Sequence, residues 1–248
     1  MIQRALLFIF ACSLKVHAVC LGPNTDIIDL ASFQHYGCFF NLYSKGAYLG
    51  EGSYGAVRIV TLKVSSKVYA AKFIDGKRTK SLPNEVKKMI FFHDFPPAKT
   101  LRFHGLFERK DGWIIVMEYM GDQWMDIADY AYKTDKQTYS RTFQTVFNNA
   151  LSAIQSIHAS GFLHNDVKSE NLLVDKNTLD IRVIDLDFMD KRELHRPSAH
   201  FRGTYRYSDT MNKKNYNPAL NEDYSFAMFV MSCHATKYNW ELHDYSKL

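Results

Sequence analysis

Residues 164–171 read His164-Asn165-Asp166-Val167-Lys168-Ser169-Glu170-Asn171, and a further acid follows in Val183-Ile184-Asp185-Leu186-Asp187. Each of these residue types has a use in moving a phosphoryl group. A carboxylate accepts the proton of an attacking hydroxyl, and an ammonium neutralises the group in transfer. An amide oxygen with a second carboxylate holds Mg²⁺ against phosphates. Leu172, Leu173 and Val174 on one side, and Val183 and Ile184 on the other, predict short strands that keep the polar loop rigid. An H-x-D alone suits a solvated surface loop equally well. The spacing from Asp166 to Asn171, with Asp185 set between apolar flanks, argues for chemistry.

Such a loop needs something to hold the phosphates. Leu49-Gly50-Glu51-Gly52-Ser53-Tyr54-Gly55-Ala56-Val57 spells G-x-G-x-x-G-x-V between two β-like runs. Glycines let a hairpin backbone approach phosphate without a Cβ in the way. Glycine turns are common, but this one is followed by Val68-Tyr69-Ala70-Ala71-Lys72, an apolar strand carrying one lysine. A lysine so placed needs a carboxylate partner. Glu85, in a helix whose start is marked by Ser81 and Pro83 and whose end is marked by His93 to Pro97, is the candidate, ahead of Glu51 and Glu108.

The elements that must carry the loop are also legible. Phe143, Phe147, Ala150, Leu151, Ile154 and His158 mark one face of a helix, and Gly161 is placed to end it in a left-handed conformation. Residues 222–231 are apolar almost all round and read as a buried helix. Gly112 to Glu118 reads as a buried strand running to Gly121.

H-x-D-x-K-x-x-N, the glycine hairpin, the strand lysine and Gly203-Thr204-Tyr205-Arg206-Tyr207 together resemble the eukaryotic protein kinases, in this order, over residues 43 to 235. The resemblance implies an α+β, two-lobed fold. The small antiparallel β lobe with one helix spans 43–118, and a mainly helical, shortened large lobe spans 119–248. It implies ATP and Mg²⁺ as cofactors and a protein serine or threonine as acceptor, because Lys168 matches the serine/threonine type. Asp166 would be the base, with Lys168 beside the transferred group and Asn171 and Asp185 as metal ligands. Gly50, Gly52, Gly55 and Lys72 would hold phosphates, with Lys72 fixed by Glu85. Val57, Ala70 and Leu173 would enclose the adenine, next to backbone groups of Glu118 to Met120 and the gatekeeper Met117. His164 would pack in the core, Thr204 would bond to Asp166 and Lys168, and Asp223 would tie its helix to the catalytic-loop backbone.

Four departures matter. Asn165 stands in place of the arginine that pairs with a phosphorylated activation loop, so activity is expected without that phosphorylation. Asp187 replaces the glycine of D-F-G, and Ser208-Asp209-Thr210 replaces A-P-E. The sequence also ends soon after the buried helix, which leaves a face that Trp240 and the charged tail, or a partner, would cover. These departures keep two alternatives open. One is a pseudokinase that binds nucleotide or a partner. The other is a small-molecule phosphotransferase of the aminoglycoside-kinase type, for which Asp185-Leu186-Asp187 would serve as D-x-D.

At 248 residues with 46% hydrophobic content, the chain can bury a sizeable core. Its net charge of +5 is spread along the sequence and does not call for nucleic acid. No run has the length of a membrane span. Met1 to Arg4, the apolar Ala5 to Leu14 and the small residues to Ala18 have the form of a secretory signal, with 19–42 then an N-terminal extension. The expectation is a secreted or secretory-pathway protein; a leader helix of a cytoplasmic protein is the alternative. Cys20 and Cys38 would be free to pair in an oxidising compartment, and three scattered cysteines suit reduced thiols equally.

Overall fold

The computed structural model describes residues 15–21, 26–33, 36–52, 55–75, 84–94, 99–109, 112–191, 203–208 and 217–239. The chain divides into two compact units, Met1–Ile90 with Arg102–Tyr119, and Phe91–Leu101 with Met120–Leu248. The apolar run to Leu14, the Ser81 and Pro83 helix start, Asp209, Thr210 and the tail from Trp240 lie outside the described residues. So do the side chains of Cys20 and Cys38.

In chain order the first unit carries β1 (Lys15–Leu21), β2 (Asp26–Phe33), α1 (Tyr36–Leu42), β3 (Tyr43–Gly52), β4 (Gly55–Leu62) and β5 (Lys67–Asp75). Next come α2 (Asn84–Asp94), β6 (Phe103–Arg109) and β7 (Gly112–Glu118). The strands form one sheet in the order β1-β2-β6-β7-β5-β4-β3. From β6 to β3 every pairing is antiparallel, the expected small β lobe. The hairpin β1–β2 adds to it through a short parallel contact of Ser32 and Phe33 with Leu106 and Phe107. The cut expected after Ala18 would fall inside β1.

Side chains alternate across a strand, and here that alternation sorts the sheet. Tyr69, Ala71 and Phe73 of β5, Val60 of β4, and Ile114 and Val116 of β7 join Phe39, Tyr43 and Phe107 in one buried cluster. Ala70 and Lys72 therefore sit on the opposite face. Cross-strand register places Val57 beside Lys72, Ile59 and Met117 beside Ala70, and Ile115 beside Lys72.

The second unit carries β8 (Trp124–Asp126), α3 (Ile127–Lys133), α4 (Lys136–Ala159), β9 (Phe162–Leu163), β10 (Leu172–Asp175), β11 (Ile181–Val183), β12 (Asp190–Lys191) and α5 (Pro218–Tyr238). Short 3-10 turns span Ser169–Asn171 and Tyr205–Tyr207. Carboxylates start two of the helices. Asp126 Oδ1 accepts from Asp129 N at 2.8 Å and Asp135 Oδ1 from Thr138 N at 2.9 Å. Burial pushes the Asp126 carboxyl above its usual range, even though the Asp129 amide opposes the shift. At the other end of α4, Gly161 takes φ +83° and turns the chain into β9.

Two helix faces differ from the sequence expectation. The buried side of α4 is Tyr139, Val146, Phe147, Ala150, Ala153, Ile154 and Ile157, and Leu151 is 40% exposed. The period was right and the stripe is rotated by about one position, since a face read from large apolar residues overlooks Ala153. Helix α5 is not buried all round: Leu220 and Met231 are 66% and 48% exposed. Its buried side holds Asn221, Glu222, Ser225, Phe229, Ser232 and Cys233. Glu222 lies inward because His158 and two backbone N–H groups of the polar loop meet it there.

Candidate active site

The polar loop begins where β9 ends and closes on the 3-10 turn that feeds β10. β10 pairs antiparallel with β11 and β8, so Asn171 and the segment reaching Asp185 leave adjacent strands. The backbone then stitches them: Ile184 N donates to Asn171 O at 2.9 Å. His164, fully buried, completes the frame. Its Nδ1 accepts from Asp166 N at 3.2 Å, so the proton is on Nε2, which donates to Ile184 O at 3.1 Å. The expected packing residue thus also fixes the spacing between the Asp166 and Asp185 segments.

Asp166 is the hub. Its side chain is 3% exposed, and Oδ2 lies 3.0 Å from Lys168 Nζ and accepts from Asn171 Nδ2 at 3.0 Å. Oδ1 accepts from Thr204 Oγ1 at 2.7 Å. Lys168 Nζ also donates to Thr204 Oγ1 at 3.1 Å, and Asn171 Nδ2 to Asp166 O at 2.9 Å. Four residues separated by up to 38 positions therefore form one closed network. A carboxylate offers about four acceptor sites. Three are used here, which leaves room for a substrate hydroxyl.

Asp185 has φ +57°, a conformation that aspartate tolerates better than most residues. With its amide nitrogen committed to Asp166, the side-chain oxygen is the atom of Asn171 that could take a cation. Among the described residues no group of three or more His, Cys, Asp or Glu forms a metal cage. An amide oxygen and one carboxylate suit Mg²⁺, which keeps most of its ligands as water and phosphate.

In the first unit, Lys72 Nζ and Glu85 Oε2 meet at 2.7 Å, each side chain 7% exposed. Glu85 is therefore the partner that the sequence singled out. Val57, Ala70 and Met117 share the sheet face of Lys72, as the register requires. Gly50 pairs with Val57 and Gly52 with Gly55 at the hairpin end. A Cβ on Gly50 would meet nothing within 4 Å, whereas one on Gly55 would collide with the Phe73 carbonyl. Gly55 is thus a packing requirement, and Gly50 leaves open backbone of the kind a phosphate needs. Glu118 ends β7 with its N–H donated to Arg102 O at 2.9 Å, and Met120 O accepts from Gln123 Nε2 at 3.1 Å. Leu173, in the second unit, lies in β10 opposite Asp126 and Arg182.

The expected tie from α5 comes from Glu222, not Asp223, which is exposed. Glu222 Oε1 accepts from His158 Nε2 at 2.6 Å and from His164 N at 3.2 Å, and Oε2 from Asn165 N at 2.6 Å. Burial would raise this carboxyl, but the His158 bond and the Asn165 amide outweigh it and hold the group below its usual range. The signal was available, because stepping back from Phe229 at helical spacing reaches Ser225 and Glu222 and passes over Asp223.

Comparison with known proteins agrees with this geometry. The model of the protein kinase domain matches residues 43–241. The chain is 26% identical over 167 residues to the carbon catabolite-derepressing protein kinase of Saccharomyces cerevisiae, covering 66% of this chain and 26% of that protein. It is 26% identical over 197 residues to the serine/threonine-protein kinase SRK2F of Arabidopsis thaliana, covering 77% and 52%. It therefore spans between about a quarter and a half of these relatives. The solved structure of the Cydia pomonella granulovirus kinase PK-1 shares the fold at a TM-score of 0.63 and 20% identity, over 79% of this chain and 72% of that one. With the Lys72–Glu85 pair, the Asp166 network and a family match over most of its length, this chain belongs to the protein kinase domain family.

Proposed function

We propose that this chain is an ATP- and Mg²⁺-dependent protein serine/threonine kinase, transferring the γ-phosphoryl group of ATP to a protein hydroxyl. The observation that carries the reading is the closed network of Asp166, Lys168, Asn171 and Thr204. Asp166 has acceptor capacity left to orient the hydroxyl and take its proton as the oxygen attacks phosphorus. Lys168, held by Asp166 and Thr204, sets a positive charge where the transferred group becomes most negative. Asn171 and Asp185 would hold Mg²⁺, which supplies neutralisation of the phosphate charge when bound. Lys72, oriented by Glu85, would meet the α and β phosphates. The Lys168–Thr204 link favours this reading over a small-molecule phosphotransferase, and similarity to the serine/threonine-protein kinase SRK2F of Arabidopsis thaliana favours serine or threonine.

The test uses the full chain with γ-labelled ATP and Mg²⁺ or Mn²⁺, offering generic protein substrates and small alcohols. Label is expected on serine or threonine, falling by about 10²–10⁴-fold in Asp166→Ala. Label that moves only to small alcohols would replace this reading with the phosphotransferase. No label in either would leave a nucleotide- or partner-binding module.

A further inference from the structure

Asn165 occupies the position where this family carries an arginine, and the structure gives it a different employment. It is 5% exposed and has φ +63°. Its N–H is held by Glu222 at 2.6 Å, and its Nδ2 donates to Phe188 O at 3.1 Å. The opposing atom is a carbonyl, which can only accept, so the amide nitrogen must face it. The backbone carbonyl of Asn165 lies close to Gly203, where φ is +111° and any Cβ would collide with that oxygen. One residue thus touches both the stretch leaving Asp185 and the stretch entering Thr204. Both contacts are neutral and involve no phosphate.

We propose that Asn165 is a positioning residue: its side-chain amide fixes the segment 185–188 to the catalytic loop, while its left-handed backbone turns its main-chain carbonyl toward Gly203, the residue before Thr204. Phe188 O is three residues beyond Asp185, and the next residues are held in turn, with Met189 N donating to Leu186 O at 3.2 Å and Asp190–Lys191 paired to β9. Loss of the Asn165 donor removes a side-chain bond that ties Phe188, three residues past Asp185, to the catalytic loop. The catalytic consequence rests on the kinase reading; the positional one does not.

The variants are Asn165→Gly and Asn165→Asp, since both residues tolerate the left-handed backbone. Asn165→Gly deletes the donor. Asn165→Asp points a carboxylate oxygen at the Phe188 carbonyl and is the harsher change. Backbone amide exchange over 186–191 in the full chain is expected to speed up by about tenfold in Asn165→Gly and by more in Asn165→Asp. With ATP, kcat should fall in the same order, because Asn165 touches no substrate and acts only through the seating of the Asp185 and Thr204 segments. Phosphatase treatment of the wild type should leave both exchange and rate as they were. Exchange over 186–191 equal to wild type in both variants would overturn the proposal, and so would a large loss of rate on phosphatase treatment. Faster exchange in a chain that transfers no label would support the positioning role and remove only the kinase reading.

Discussion

A carboxylate sealed from water keeps its charge only if enough donors replace its hydration. Glu222 is 1% exposed and takes three donors, two of them backbone N–H groups of the catalytic loop. Removing it by Glu222→Ala strands those donors in the interior, and a loss of about 3–5 kcal/mol is expected. The pH dependence has a definite sign. The folded-state pKa lies below the ordinary 4.5, so the stabilisation is complete above that value and disappears as pH falls through the lower folded value. Glu222→Gln, which cannot titrate, should therefore be less stable than wild type at pH 7, with the gap closing as the medium is taken below about pH 4. Urea unfolding at both pH values measures this, and an equal gap at both would show that Glu222 is not held as an anion. The same residue marks what the sequence conveyed. Motif spacing located Asp166, Lys168, Asn171 and Lys72, because those residues must lie at fixed offsets on one loop or strand. Glu222 belongs to a helix contact set by rotation, where an error of one position moves the side chain by about 100°.

Among the elements, β1, β2 and α1 all precede the family match, which starts at residue 43. Yet Phe39 of α1 is fully buried, with ring centroids 5.1–5.7 Å from Phe40, Tyr43, Phe73 and Phe107. It joins the helix to three strands of the small sheet, and Tyr43 is buried so thoroughly beside it that its hydroxyl pKa is pushed up to about 12. Phe39→Ala in the full chain is expected to lose about 3–5 kcal/mol, because four aromatic neighbours cannot all collapse into the space. Phe39→Leu should lose clearly less. A loss under about 1 kcal/mol for Phe39→Ala in chemical denaturation would mean that α1 is an ornament on the sheet. No periodic signal announces this element, since seven residues make too few turns to repeat. Strand β5 was readable for another reason: an apolar run from Val68 to Ala71 carries a single lysine directly behind a glycine hairpin. Helix α5 misled because hydrophobic content is not orientation. Its apolar Leu220 and Met231 face outward while Asn221 and Ser225 face in, Ser225 Oγ donating to Asn221 O at 2.8 Å.

At the scale of the whole molecule, ligand binding should report on the metal assignment without any turnover. A ligand that binds only the folded chain stabilises it by RT ln(1 + [L]/Kd), about 2.7 kcal/mol at a hundredfold excess over Kd. ATP with Mg²⁺ should therefore raise the melting temperature by several degrees, ATP alone by less, and excess EDTA should return the first condition to the second. Asn171 and Asp185 are the groups that would couple metal to protein, so the Mg²⁺ increment is the part that depends on them. Asp185→Asn keeps a residue that accepts φ +57° and removes the charge. Asn171→Ala removes the oxygen but also two bonds to Asp166, so a lower starting stability is expected in it alone. In both variants the shift from ATP alone should persist while the additional shift from Mg²⁺ shrinks, because the contacts that the glycine hairpin and Lys72 would make with the triphosphate are not altered. If the full Mg²⁺ increment survives in both, the ion is held by phosphate alone and the ligand roles given to Asn171 and Asp185 are wrong.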